Sequence, residues 1–260
     1  MSPGRATGAA TRRRATGAGR LGAVAAAARE QLARAAPELV DGFAAALPRA
    51  ADLVGRRLLG ALCRERLGSR AAARHAAAGT RHGFDRVEFA HSPADDPAAL
   101  LPAVAGRAGL AAELRDAVVW LAVAYARRDA GGPGADPLAG GLAADERVVR
   151  AERMAVEGHN LHPCGRTRLG WTVPDVLAHD LEAGHTAVGF VAVRRDLHVG
   201  DDLGAALRQA FPELPAPPPG YLLQPVHPWQ RRQQRAVAGA GHRHRPPGGG
   251  DLDVQGQLQV

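Results

Sequence analysis

LAAELRDAVVWLAVAYARR, Leu110 to Arg128, is the stretch on which the fold class turns. Leu110, Leu114, Val118, Leu121 and Tyr125 recur at the spacing of one helix face, which predicts a helix. Glu113 stands near its start, Arg127 and Arg128 near its end, where they suit the helix dipole, and Gly-Gly-Pro-Gly follows as a stop. Before it, alanine-rich runs from about Ala25 to Leu67 predict two or three helices interrupted near Pro37 and Pro48. GFDRVEFA alternates from Phe84 to Phe89 and predicts a short strand before the proline-rich SPADDP loop. After it, a helix is predicted from Asp145 to Glu157, with Glu146 and Arg150 at i,i+4 and Gly158 as its C-terminal cap. AGHTAVGFVAVRRD and GYLLQPVHPWQ then read as strands, with an amphipathic stretch from Leu203 to Phe211 between them.

These elements predict an α+β chain: a helical N-terminal lobe, then the start of a mostly antiparallel sheet domain. The expected divisions are a disordered Arg-rich tail over 1–24, the helical region over 25–144, the sheet-bearing domain over 145–235 and an irregular tail over 236–260. No periodicity marks that tail, and two prolines in GYLLQPVHPWQ place its strand at a sheet edge.

Composition narrows the function classes. Hydrophobic residues make up 46% of the 260, but much of that is alanine; Leu, Ile, Val and Phe together are about a fifth, near the level at which charged chains lose their core. The core must therefore be concentrated in particular stretches. The net charge of +7 comes from 33 basic residues, all arginine; isoleucine is absent and Asn160 is the only asparagine. That bias points to GC-rich codon supply, so the charge is not read as a nucleic-acid footprint. No window has the length of a membrane span and the start lacks a secretory signal, so the expectation is a cytoplasmic protein with no membrane partner. Cys63 and Cys164 match no disulfide or metal spacing and are read as reduced thiols.

EGHNLHPCGRTRLG, Glu157 to Gly170, gathers His159, His162, Arg166 and Arg168 in ten residues. Pro163 keeps His162 out of helical geometry, so the four side chains are expected on a loop. Guanidinium groups can clamp carboxylates or phosphates, and imidazoles can donate to an anion or move a proton near neutral pH. A polyanion site and a solvated turn both stay open on these residues alone. A zinc pair is disfavoured, because the His-Glu-x-x-His register is missing and the arginines would repel a cation; no metal ligand is assigned. His227-Pro228-Trp229-Gln230 forms a second cluster at the end of the last predicted strand.

Together, Gly158-His159-x-x-His162-Pro163-x-x-Arg166-Thr167-Arg168-x-Gly170, then FVAVRR at Phe190 to Arg195, then PVHPWQ at Pro225 to Gln230, closely resemble the IucA/IucC family of siderophore synthetases. The resemblance covers about Val148 to Gln230, and makes 145–235 the start of an IucA/IucC-type catalytic domain. It implies siderophore biosynthesis by a ligase using ATP and Mg2+. The implied enzyme activates a carboxylate of citrate or a related polycarboxylic acid as an acyl-adenylate, which an amine or alcohol then attacks. It places His162, Arg166 and Arg168 at the catalytic phosphate and carboxylate site, with His159, Thr167, His227 and Gln230 binding substrate or ATP. No Gly-x-x-x-x-Gly-Lys loop is present, which disfavours a P-loop ATPase.

Two positions depart from the family pattern: Asn160 stands where proline is usual and Arg166 where lysine is usual. Arginine keeps the charge but exchanges a compact ammonium for a planar fork. The family's Ser-x-Arg-Thr segment and C-terminal half would follow HPWQ and do not, so the chain is expected to be an N-terminal fragment, incomplete as an enzyme. A separately encoded C-terminal half is an expected partner, and a homodimer is left open. The alternative is a non-catalytic remnant that binds polycarboxylates through the same cluster.

Overall fold

The computed structural model describes residues 7–67, 79–101, 107–130, 147–148, 151–152, 155–183, 186–233 and 255–258. The architecture is α+β, helices first and antiparallel strands after, in two compact units, Met1–Glu182 and Ala183–Val260. That boundary puts the His/Arg stretch in the same unit as the helices that precede it, not in the sheet unit.

In the first unit α1 spans Thr7–Ala35, so helix runs through most of the stretch expected to be a disordered tail. Leu21, Ala25, Ala28 and Leu32 are buried at helical spacing, a stripe made mostly of methyl groups that a search for large apolar residues passes over. Pro37 opens a 3-10 turn, Pro37–Leu39, and separates α1 from α2, Val40–Arg64, as expected. Pro48 does not interrupt: α2 runs through it. Ala44 and Pro48 are both exposed, so solvent can satisfy the carbonyl that Pro48 leaves without an i+4 donor.

The helix predicted from Leu110 is α3, Arg107–Ala130. Its segment Ala117–Ala126 is buried on every side, which is why no single stripe describes it. α2 packs along α3, and small residues set the approach: a Cβ on Gly42 would stand 3.3 Å from that of Ala126. Asp96, buried with Arg115 at 2.9 Å, caps the 3-10 turn Pro97–Leu100 beneath them.

The strand expected over Phe84–Phe89 shrinks to β2, Val87–Glu88, paired antiparallel with β1, Thr80–Arg81. Phe84 and Asp85 take positive φ (58° and 56°) in the connecting turn, and Phe84 is fully exposed, so the alternation there reflects a turn and not a pleat. Of the helix expected over 145–157, 147–148 and 151–152 are helical and the rest up to residue 154 lies outside the described residues, the Glu146–Arg150 pair included.

The second unit is a three-stranded antiparallel sheet in the order β4-β3-β5, with β3 Thr186–Arg194 central, β4 Tyr221–Val226 and β5 Gln255–Leu258. Pro225 faces Phe190 across the ladder on the outer strand β4, the edge position its missing N–H requires. α4, Val173–His179, belongs to the first unit; α5, Gly204–Ala210, follows β3 at the predicted amphipathic stretch. Phe190, Phe211, Leu214 and Leu223 form this unit's core, with the two phenyl rings edge to face at 5.4 Å. His227 ends the strand early, and 228–233 is helical, with Pro228 at its first position, where an N–H is not needed. β5 lies in the tail expected to be irregular; 234–254 is outside the described residues.

Candidate functional site: the histidine loop and its carboxylate anchors

Ala155 to Trp171 is a relay of tight turns, with backbone bonds from Gly158 to Ala155, His162 to His159, Gly165 to His162, Thr167 to Cys164 and Trp171 to Arg168. Two glycines close it. Gly158 sits at φ +66°, and a Cβ on it would lie 3.0 Å from the Gly165 carbonyl oxygen; a Cβ on Gly165 would meet the His159 nitrogen at 3.2 Å. Gly158 thus ends the turn 155–158 and is not the direct cap of a helix reaching Glu157.

The imidazoles of His159 and His162 are both exposed. Each ring is oriented by its own loop: Nδ1 of His159 accepts from the Leu161 N–H at 3.2 Å, and Nδ1 of His162 accepts from the Cys164 N–H at 3.1 Å. An accepting Nδ1 assigns the Nε2–H tautomer to both neutral rings, leaving Nε2 as the nitrogen that can meet a partner. Cys164 itself is buried, and burial pushes its thiol up to about 11, so it offers no thiolate at neutral pH.

The two arginines do something different from what their sequence position suggested. Arg166 is 2% exposed; its Nη2 donates to Glu182 Oε1 at 2.8 Å and Oε2 at 3.0 Å and lies 3.2 Å from Asp180 Oδ2. Its Nε and Nη1, and Asp180 Oδ2, are buried without a hydrogen-bond partner among the described residues. Arg166, expected to present its charge to a ligand, is enclosed here beside two carboxylates, because a buried cation is tolerable only beside anions. Arg168, 23% exposed at its side chain, donates from Nη2 to Asp180 Oδ1 at 2.8 Å and from Nη1 to the Thr167 carbonyl, and lies 5.9 Å from the Trp171 ring centre. The structure brings Arg166 and Arg168 together on Asp180; it does not gather both imidazoles and both guanidiniums into one open pocket.

The loop is fastened to α3 and α2. Thr167 Oγ1 donates to the Glu113 carbonyl at 3.0 Å, and the Arg168 N–H donates to Asp116, whose other oxygen accepts from Trp120 Nε1 at 2.9 Å. Burial raises the Asp116 carboxyl above the usual range against the pull of these donors. At the loop's start, Glu157 accepts from Tyr125 Oη at 2.6 Å and from Arg57, which also reaches the Glu157 carbonyl at 2.6 Å. Arg127 closes the far end through the carbonyls of Val176 and Glu182. α4 begins with a capping box between Thr172 and Asp175, and Val173 donates to Gln31 of α1 at 2.9 Å.

Asp116, Glu157, Asp180 and Glu182 are the residues that sequence reasoning missed. The signal for two of them was present: two arginines spaced to enter a core require carboxylates, and Asp180 and Glu182 are the next acids after the Thr-x-x-Asp cap. In the sheet unit, Nδ1 of His227 accepts from the Trp229 N–H at 3.3 Å, and burial, helped by Arg232, lowers its pKa. Gln230 is exposed on the 228–233 helix.

Compared with known proteins, the sequence matches the IucA / IucC family over residues 147–243. That segment, a little over a third of the chain, is similar to the IucA / IucC family. The segment includes the whole histidine loop, its Asp180 and Glu182 anchors and the HPWQ cluster, and extends past the Gln230 limit of the motif resemblance. The chain is also similar to the rhizobactin siderophore biosynthesis protein RhbC of Rhizobium meliloti (strain 1021), 33% identical over 106 residues, which is 35% of this chain and 18% of that protein. The chain thus matches less than a fifth of that relative's length. No solved structure matches. Among the described residues, no cluster of three His, Cys, Asp or Glu side chains could hold a metal ion, and no helix is long and apolar enough to cross a membrane. The carboxylates beside the histidine loop are already held by guanidinium, N–H or O–H groups, so they do not fit a magnesium cage.

Proposed function

We propose that this chain serves siderophore biosynthesis as part of an ATP-dependent carboxylate ligase. In this reading a carboxylate oxygen of citrate or a related polycarboxylic acid attacks the α-phosphorus of ATP, pyrophosphate leaves, and an amine or alcohol displaces AMP to give an amide or ester. The observation that carries the reading is the coincidence of the family match with a glycine-closed loop on which the His159 and His162 rings are exposed and Arg168 is partly exposed. Departing pyrophosphate and a multiply charged acid both need fixed positive donors, and pre-set donors cost no reorganisation during reaction. His162 and Arg168 take that role and His159 and Thr167 support them; His227 and Gln230, in the sheet unit, are substrate-binding candidates on the family resemblance. Arg166 acts on the ligand through the loop it anchors and is a positioning residue. Mg2+ would have to arrive with the nucleotide, because no cluster of carboxylates that could cage it stands among the described residues.

The test is pyrophosphate release from ATP with citrate and hydroxylamine as the amine, using the full chain alone and with the C-terminal portion of a family member added. Release is expected when that portion is supplied, and its loss in Arg168→Ala. No release under either condition, with citrate still giving a saturable heat without ATP, would replace the ligase by a polycarboxylate-binding role.

A further inference from the structure

Leu53, Arg57, Gly60, Ala61 and Arg64 share one face of α2. A Cβ on Gly60 would lie 2.8 Å from the Val87 carbonyl oxygen, so the bare glycine is what lets the β1–β2 hairpin reach this face. Between the helix, the hairpin and the turn at Asn160 and Leu161 lies a cleft of about 300 Å3 lined by the guanidiniums of Arg56, Arg57, Arg64 and Arg86. Arg57 is committed to Glu157. The other three each bind a carboxylate through one edge: Arg56 through Nε to Asp52, Arg64 through Nε to Glu65, and Arg86 through Nη2 to Glu88. Arg86 Nε is buried without a hydrogen-bond partner among the described residues. The carboxylates of Asp52, Glu65, Glu88 and Glu157 balance the four cations, so attraction here is local and directional, not that of a broad positive field.

The remaining lining is apolar, from Leu53, Val87, Phe89 and Leu161. Asn160, where the family pattern has proline, adds an amide at the rim. Eight residues separate Arg56 from Arg64, a rise of about 12 Å along the helix. We propose that this cleft is a binding site for a small dicarboxylic acid with a hydrocarbon spacer, its two carboxylates on Arg56 and Arg64 and its methylenes against Val87 and Phe89. The volume is at the small end of ligand pockets, about 300 to 1,000 Å3, which suits an acid of this kind and not a nucleotide. A compact anion such as phosphate would engage one guanidinium and leave the apolar wall wet. The site is separate from the ligase reading and does not depend on ATP.

Because Asn160 is the only asparagine, a chain carrying 15N in asparagine alone reports from the cleft's rim through one backbone and one side-chain amide. Succinate, adipate, suberate, citrate and inorganic phosphate would be titrated without nucleotide. The expected result is a saturable shift of the Asn160 signals, tightening by about fourfold per added methylene as the spacer is buried. Binding should weaken at least tenfold in Arg56→Gln and Arg64→Gln, whose side chains are about a third exposed and whose loss spares the core. Absence of a shift, equal affinity for phosphate or citrate, or unchanged affinity in both variants would overturn the proposal. Pyrophosphate release measured on the same samples reports the ligase reading separately, since neither arginine belongs to the loop assigned to it.

Discussion

Arg166 and Glu182 meet at 2.8 Å with the guanidinium 1% and the carboxylate 10% exposed, so a cation read as a ligand contact is a buried tie between the loop and the end of the first unit. Breaking one side of such a pair strands the other charge. Arg166→Met and Glu182→Gln are each expected to lower unfolding stability by about 3–5 kcal/mol in urea titrations. A ligand-contact role for Arg166 would instead leave stability unchanged and alter only substrate affinity.

Gly158 holds a left-handed φ against the Gly165 carbonyl. Gly158→Ala adds conformational strain of about 1–2 kcal/mol to the close contact, and should shift the His159 and His162 ring proton resonances together as the loop opens. Gly19→Ala, with open space at its Cβ, is the control and should leave them in place.

Tyr125 gives a pH dependence with a defined sign. Burial, reinforced by the hydrogen bond to Glu157, raises its phenol from 10 to about 12. The fold therefore favours the neutral form: that stability is full below about pH 10 and is lost as pH rises through about 12. The difference in absorbance titration between the native chain and Tyr125→Phe should show a phenolate appearing near 12, and the variant should lose less stability over that interval.

Cys164, with its thiol near 11, should react with iodoacetamide at pH 8 about two orders of magnitude more slowly in the native chain than after unfolding. Mass spectrometry of the labelled peptide separates it from Cys63, whose thiol burial also raises. Rapid native labelling of Cys164 would contradict the closed loop.

The helix at Leu110–Arg128 and the two main strands were legible because their apolar residues repeat at the period of the element. Leu21, Ala25 and Ala28 were not, since alanine fills close helix contacts without adding hydropathy contrast. Phe84 and Val87 share an alternating pattern that a turn with positive φ breaks, and nothing in those residue types announces it. The site was half legible: the density of His and Arg after Glu157 marks the loop, but whether a guanidinium faces solvent or Asp180 depends on what the chain packs against. Asp116, on α3, lies far from the loop in sequence, so only the tertiary fold connects it to Arg168.

Glu157, Thr167 and Arg168 all take their hold from residues upstream of position 147, namely Arg57, Tyr125, Glu113 and Asp116. Excising the family-matched segment, 147–243, as an expression product would remove the scaffold while keeping the motif. A gene cut at 147 would encode both histidines without the α2 and α3 contacts that fasten their loop, so useful truncations of this protein must retain α2 and α3.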